Sequence, residues 1–112
     1  MSRPAGEAAG RVRELAAAAA ALAGTDAALS GPDVRTGWIG PGYGAPSAAG
    51  QAAARLVAET EGVFLDPVFG AKAMAALIAG CRAGRLHGPQ VFLVSGGAPT
   101  LFVGDQLTGS EA

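Results

Sequence analysis

The chain has 112 residues, 50% hydrophobic and only 15% charged, with a formal net charge of −1. That length holds one small domain with a core, and so even a charge balance excludes the basic stripe of a nucleic-acid binder. The single cysteine, Cys81, builds neither a disulfide frame nor a zinc site, so a reducing cytoplasm is the expected compartment.

No membrane partner is expected. The apolar run from Leu15 to Ala23 is far shorter than the ~20 residues of a membrane span. No apolar core follows Met1-Ser2-Arg3-Pro4, as a signal peptide would require.

In chain order, the first predicted element is a helix from about Pro4 to Ala23. Ser2 is placed to cap it, Pro4 suits a first turn and Gly24 closes it. Val12, Leu15, Ala19 and Leu22 share one face, narrow and rich in alanine, which predicts close packing on a flat surface such as a sheet. Thr25 to Asp33 is a polar connection. Val34 to Ile39 is predicted as a short strand with Val34, Thr36 and Trp38 on one side. The loop Gly40-Pro41-Gly42-Tyr43-Gly44-Ala45-Pro46 follows, stiffened by two prolines and shaped by three glycines around one phenol. From composition alone it is either a functional loop or an ordinary one with a surface tyrosine.

Ser47 caps a second predicted helix, about Ala48 to Glu61, with Ala49, Ala53, Leu56 and Thr60 facing inward and Gly62 ending it. Val63-Phe64-Leu65 is predicted as a short buried strand broken by Asp66-Pro67. A third helix is predicted from about Gly70 to Ala83. Met74, Leu77, Ile78 and Cys81 form its apolar stripe, Arg82 and Arg85 lie at its C-terminal end, and Gly84 caps it. Val91-Phe92-Leu93-Val94 is a buried strand in this reading, ending at Ser95-Gly96-Gly97. Ala98 to Val103 is strand-like or a turn, and Gly104 to Ala112 a frayed tail.

The alternation of helices and strands predicts an α/β fold with parallel strands and crossover helices. Ligands in such folds sit at the carboxyl ends of strands, here the loop from Gly40 to Pro46, Asp66 to Gly70, and Ser95 to Gly97. Ser95-Gly96-Gly97 offers a hydroxyl and open backbone N–H groups, or is simply a glycine turn after a core strand. A nucleotide site there has weak support, because a Walker lysine and a GxGxxG pattern are both missing. Lys72, the sole lysine, reads as solvated or loosely paired rather than as a Schiff-base nucleophile. His87 reads as exposed, Cys81 as buried and inert, and Asp66 as a helix cap or turn-former. Metal-ligand spacing is not found.

Three segments together carry a resemblance: Gly40 to Pro46; Glu59-Thr60-Glu61-Gly62-Val63-Phe64-Leu65-Asp66-Pro67-Val68-Phe69-Gly70-Ala71-Lys72-Ala73-Met74; and Ser95 to Phe102. Their order and spacing resemble the C-terminal part of the D-cysteine desulfhydrase / 1-aminocyclopropane-1-carboxylate deaminase family, pyridoxal-phosphate enzymes of the tryptophan-synthase β-like fold. The resemblance implies a partial three-layer α/β/α domain over residues 1–104 and a flexible tail over 105–112. It implies a lyase or deaminase acting on a small amino acid with pyridoxal 5′-phosphate as cofactor. By the same resemblance, Tyr43 lines the substrate side as a catalytic residue. Ser95 lies beside the pyridine nitrogen, and Gly96 and Gly97 let backbone approach the ring.

Two departures accompany it. Phe69 stands where the family has a second active-site tyrosine, removing a candidate acid/base. The family's Schiff-base lysine and phosphate-cradling loop match nothing in these residues, and Lys72 does not correspond to that lysine. The expectation is therefore a C-terminal segment of a desulfhydrase-like enzyme, inactive by itself, whose missing lysine and phosphate loop come from a separately encoded N-terminal partner chain or, if the gene is truncated, from nothing. Two alternatives stand beside it. One is a non-catalytic remnant that dimerises or binds a partner through an exposed sheet edge. The weaker one is a small phosphate- or nucleotide-binding domain.

Overall fold

Three stretches of this chain satisfy their own backbone and become helices: α1 (Ala5–Ala23), α2 (Ala48–Glu61) and α3 (Gly70–Arg82). The structure is a computed structural model and describes residues 4–26 and 31–96. Ser2, Gly97, the segment Ala98 to Val103 and the tail lie outside the described residues. Contacts divide the chain into two units, Met1–Thr36 and Gly37–Ala112.

In the first unit, α1 begins after Pro4 and ends where Gly24 turns left-handed at φ 71°. The N–H of Thr25 then reaches back to the carbonyl of Ala20 at 3.0 Å, closing the last turn. Arg11 pairs with Glu14 at 3.0 Å along the surface. The predicted inner face is not inner. No residue of α1 is buried, and Leu22 is 92% exposed. A helical period states which residues share a face; it does not state what covers that face. No helix among the described residues is long and apolar enough to cross a membrane.

In the second unit, Ser47 adopts an extended conformation, and its Oγ accepts a hydrogen bond from the Gly50 N–H at 3.0 Å, starting α2. Gly62 at φ 66° ends it. α2 and α3 pack on each other, but through their smallest residues. Gly50 and Ala53 of α2 and Ala71, Ala75 and Gly80 of α3 are buried. The predicted stripe is corrected accordingly: Met74, Leu77 and Ile78 are half-buried, Cys81 is exposed, and Ala49, Leu56 and Thr60 face outward. The reason is distance. A Cβ placed on Gly50 would lie 3.3 Å from the Lys72 nitrogen and 3.4 Å from the Ala71 carbonyl carbon. Backbones that close leave room only for hydrogens and methyls, so larger side chains flank the contact.

α3 ends at Arg82 with Ala83 as its C-cap, one residue before the predicted glycine. Gly84 takes the left-handed turn at φ 71°, and the N–H groups of Arg85 and Leu86 both reach the Gly80 carbonyl, at 3.0 and 3.3 Å. The Leu86 side chain folds over Gly80, its Cδ1 2.8 Å from where a Cβ would sit. That neighbour is the mobile end of a side chain, so the clash yields. Gly80→Ala is therefore expected to change stability by less than about 1 kcal/mol, helix propensity offsetting the displaced leucine; urea denaturation measures it.

The predicted α/β layering does not form among the described residues, where no strand is present. Val34 to Ile39, Val63 to Leu65 and Val91 to Val94 are irregular chain. A strand exists through its neighbour, and none of these runs lies in a ladder with another. The apolar side chains predicted as buried meet water instead: Val91 is 99% and Leu93 80% exposed. Leu65 alone of the second run is buried.

Candidate functional site

The candidate site is built around the start of α3. Asp66-Pro67-Val68-Phe69-Gly70 turns the chain into that helix, and Asp66, only 4% exposed, organises the turn. Its Oδ2 accepts from the N–H of Val68 at 3.1 Å and of Phe69 at 2.6 Å, and its Oδ1 from the N–H of Gly70 at 2.7 Å. A carboxylate on three free N–H groups neutralises the positive end of the helix and satisfies donors that would otherwise be orphaned. Of its two expected roles, Asp66 thus orders the turn and also holds the N–H of Gly70, the first residue of α3, while Phe69 occupies the N-cap position. Gly70 is small for the same reason, since a Cβ there would stand 2.8 Å from Asp66 Oδ1.

That turn presents Phe69 and Lys72 to the glycine loop. The ring of Tyr43 meets Phe69 edge-on, with centroids 6.0 Å apart and planes at 62°, a favourable geometry for two aromatic quadrupoles. Lys72 Nζ donates to the Gly42 carbonyl at 3.1 Å. The loop itself turns through left-handed glycines, Gly40 at φ 70° and Gly44 at φ 81°. Gly40 also lies against Ser47, where a Cβ would come within 2.6 Å of the serine Cβ. Tyr43 remains 67% exposed. A phenol held by its ring and open to solvent can donate or accept a hydrogen bond at a ligand placed over it.

Among the described residues, no hydrogen bond or ring contact joins Ser95, His87 or Cys81 to Tyr43 or Phe69. Ser95 and Gly96 are exposed at the end of the irregular run from Val91. Gly97 falls outside the described residues. Lys72, expected to be solvated or loosely paired, instead makes a specific bond across the fold. His87 is exposed as expected, its carbonyl accepting from Gln90 Nε2 at 3.0 Å. Cys81, expected to be buried, is an exposed free thiol. On the outer surface of α2, Glu59 holds the Arg55 guanidinium above its ordinary value, first through a 2.7 Å hydrogen bond and then through its charge.

Sequence reasoning did not find a groove of about 710 Å³ lined by both α2 and α3, with Trp38, Ala49, Leu56, Ile78 and Arg82 among its walls. Neither Tyr43, Phe69 nor Ser95 lines it. Tyr43, implied for the substrate side, and Ser95, implied for the pyridine nitrogen, share no hydrogen bond among the described residues, and both are exposed.

No family model matches the chain. It is similar to proteins called D-cysteine desulfhydrase from Salmonella paratyphi B (strain ATCC BAA-1250 / SPB7), Salmonella newport (strain SL254) and Salmonella enteritidis PT4 (strain P125109). Identity with each is 51% over 67 residues, 58% of this chain. The match spans 20% of each relative's length.

Proposed function

We propose that this chain is a segment of a pyridoxal-phosphate-dependent lyase of the D-cysteine desulfhydrase type, supplying one wall of the substrate site. The 51% identity over 67 residues carries this reading. In it, the α/β layers form when Val63 to Leu65 and Val91 to Val94 pair with strands outside these residues. Ser95, Gly96 and Gly97 then come to the cofactor, while the Schiff-base lysine and the phosphate loop come from other polypeptide. Tyr43 is the group of this chain that exchanges a proton with a small amino-acid substrate, and Phe69 supports its ring without a hydroxyl of its own.

A segment exchange tests it. The matched residues of this chain replace the matched segment of one of the Salmonella relatives, and sulfide release from D-cysteine is measured. The chimera is expected to release sulfide and to lose at least tenfold in kcat on Tyr43→Phe. A chimera that folds and binds cofactor but releases no sulfide overturns the reading. The 112-residue chain alone, mixed with pyridoxal phosphate and borohydride, is expected to show neither turnover nor stoichiometric labelling of Lys72, whose amine is engaged by Gly42.

The run Val91 to Val94, exposed except at the half-buried Phe92 and without a backbone hydrogen bond among the described residues, favours a second reading. The chain is then a non-catalytic module that pairs this run with another copy or a partner chain. Sedimentation of the isolated chain as a monomer at high concentration removes the homodimer form of that reading.

A further inference from the structure

One turn of α3 grips two consecutive residues of the glycine loop. Phe69 stands at the N-cap of α3 and Lys72 in its first turn, three residues on; Phe69 takes the ring of Tyr43, and Lys72 takes the carbonyl of Gly42. We propose that Lys72 is a positioning residue that holds the loop backbone beside Tyr43 and thereby sets where the phenol stands.

Three observations lead there. First, Tyr43 is not placed by enclosure, because most of its surface is open; its position depends on the backbone that carries it and on one ring contact. Second, the loop is anchored at its end, where Gly40 lies against Ser47. Its middle has one internal tie, the Ala45 N–H on the Gly42 carbonyl at 3.3 Å, and the tie from Lys72 at 3.1 Å. The Lys72 bond spans 30 residues of sequence, so it alone of the two fixes the loop to the helix. Third, Lys72 is half-buried and makes no ion pair among the described residues. Its charge is directed at a backbone carbonyl. An ammonium on a four-carbon stem suits that task, since it can aim one donor at a single acceptor while the others stay hydrated. Asp66 holds the same turn from below, through the N–H groups of Phe69 and Gly70.

That Tyr43 faces a substrate rests on the function proposed above; that Lys72 orders Tyr43 does not, and the two are read separately. The chain contains one tyrosine and one lysine, so each end of the device reports alone. Nitrogen-15 relaxation of the full chain is measured for wild type, Lys72→Met, Lys72→Arg and wild type acetylated at Lys72 after folding. The expected result is that backbone order parameters of Gly42 and Tyr43 fall from about 0.85 to below about 0.6 in Lys72→Met and in the acetylated protein. The amides of α2 and α3 stay unchanged, and Lys72→Arg recovers most of the order. Unchanged Gly42 and Tyr43 in the acetylated protein overturn the proposal. So does loosening spread equally over both helices, which marks Lys72 as a packing residue. In an active chimera, Lys72→Met is expected to lower kcat at least fivefold with little change in that of a Tyr43→Phe background; equal losses in both backgrounds also overturn it. An inactive chimera counts against the lyase reading, and the relaxation data still decide the role of Lys72.

Discussion

Asp66→Ala is expected to destabilise the second unit by about 2–4 kcal/mol, the loss of hydrogen bonds to a charged acceptor at a buried site. Three N–H groups, those of Val68, Phe69 and Gly70, lose their acceptor together. Water has poor access to replace it, because Asp66 is buried. Asp66→Asn keeps one oxygen and gives up the charge that faces the helix N-terminus, so about half that cost is expected. Urea unfolding followed by far-UV circular dichroism measures both. The effect should travel further than the helix. Phe69 is one of the three donors, and its ring supports Tyr43, so tyrosine fluorescence quenching by iodide should rise in both variants. An Asp66→Ala protein as stable as wild type would show that the cap is dispensable.

Gly50→Ala is expected to cost about 1–3 kcal/mol, the range for inserting a methyl into a packed contact. Alanine in place of a helical glycine ordinarily gains nearly 1 kcal/mol, so the sign depends on what the methyl meets. Here it meets the capping Oγ of Ser47 at 2.9 Å and the backbone of Lys72 and Ala71 at 3.3 and 3.4 Å. Backbone cannot rotate aside, and moving Ser47 breaks its bond to the Gly50 N–H. The helices must separate, or α2 must lose its cap. Gly80→Ala, whose methyl meets only the Leu86 side chain, its Cδ1 at 2.8 Å and its Cγ at 3.1 Å, is the internal control. Both substitutions add one methyl to a buried helical glycine, and the difference between them isolates the neighbour's ability to move.

The candidate site was legible where its signals are local. An aspartate before proline at the head of a helix announces a cap or an ordered turn, and glycines flanking Tyr43 announce a loop that needs left-handed turns; both are found. The bond from Lys72 to Gly42 was not legible, because nothing near either residue encodes a partner 30 positions away. The same holds for the groove beside Trp38, which exists only once α2 and α3 have packed. The segments that carry the resemblance were also legible, and the Salmonella desulfhydrases match a part of the chain at high identity. What does not appear in the described residues is the joining of Ser95 to Tyr43. The sequence placed both at strand ends of a sheet, and the described residues form no sheet.

By itself, the sequence determined the three helices and the ends marked by Ser47, Gly24 and Gly62. Ser47, Gly24 and Gly62 act within four residues of themselves, through hydrogen bonds and backbone angles that need no distant partner. Tertiary structure decided which faces meet. Gly50, Ala71 and Ala75 took the contact between α2 and α3 from Met74, Leu77 and Ile78 because close backbone approach rewards the absence of side chains. It also decided that Val91 to Val94 is not a strand in this structure. An extended run has unpaired hydrogen-bonding groups on both sides, and only a neighbouring strand turns it into a sheet.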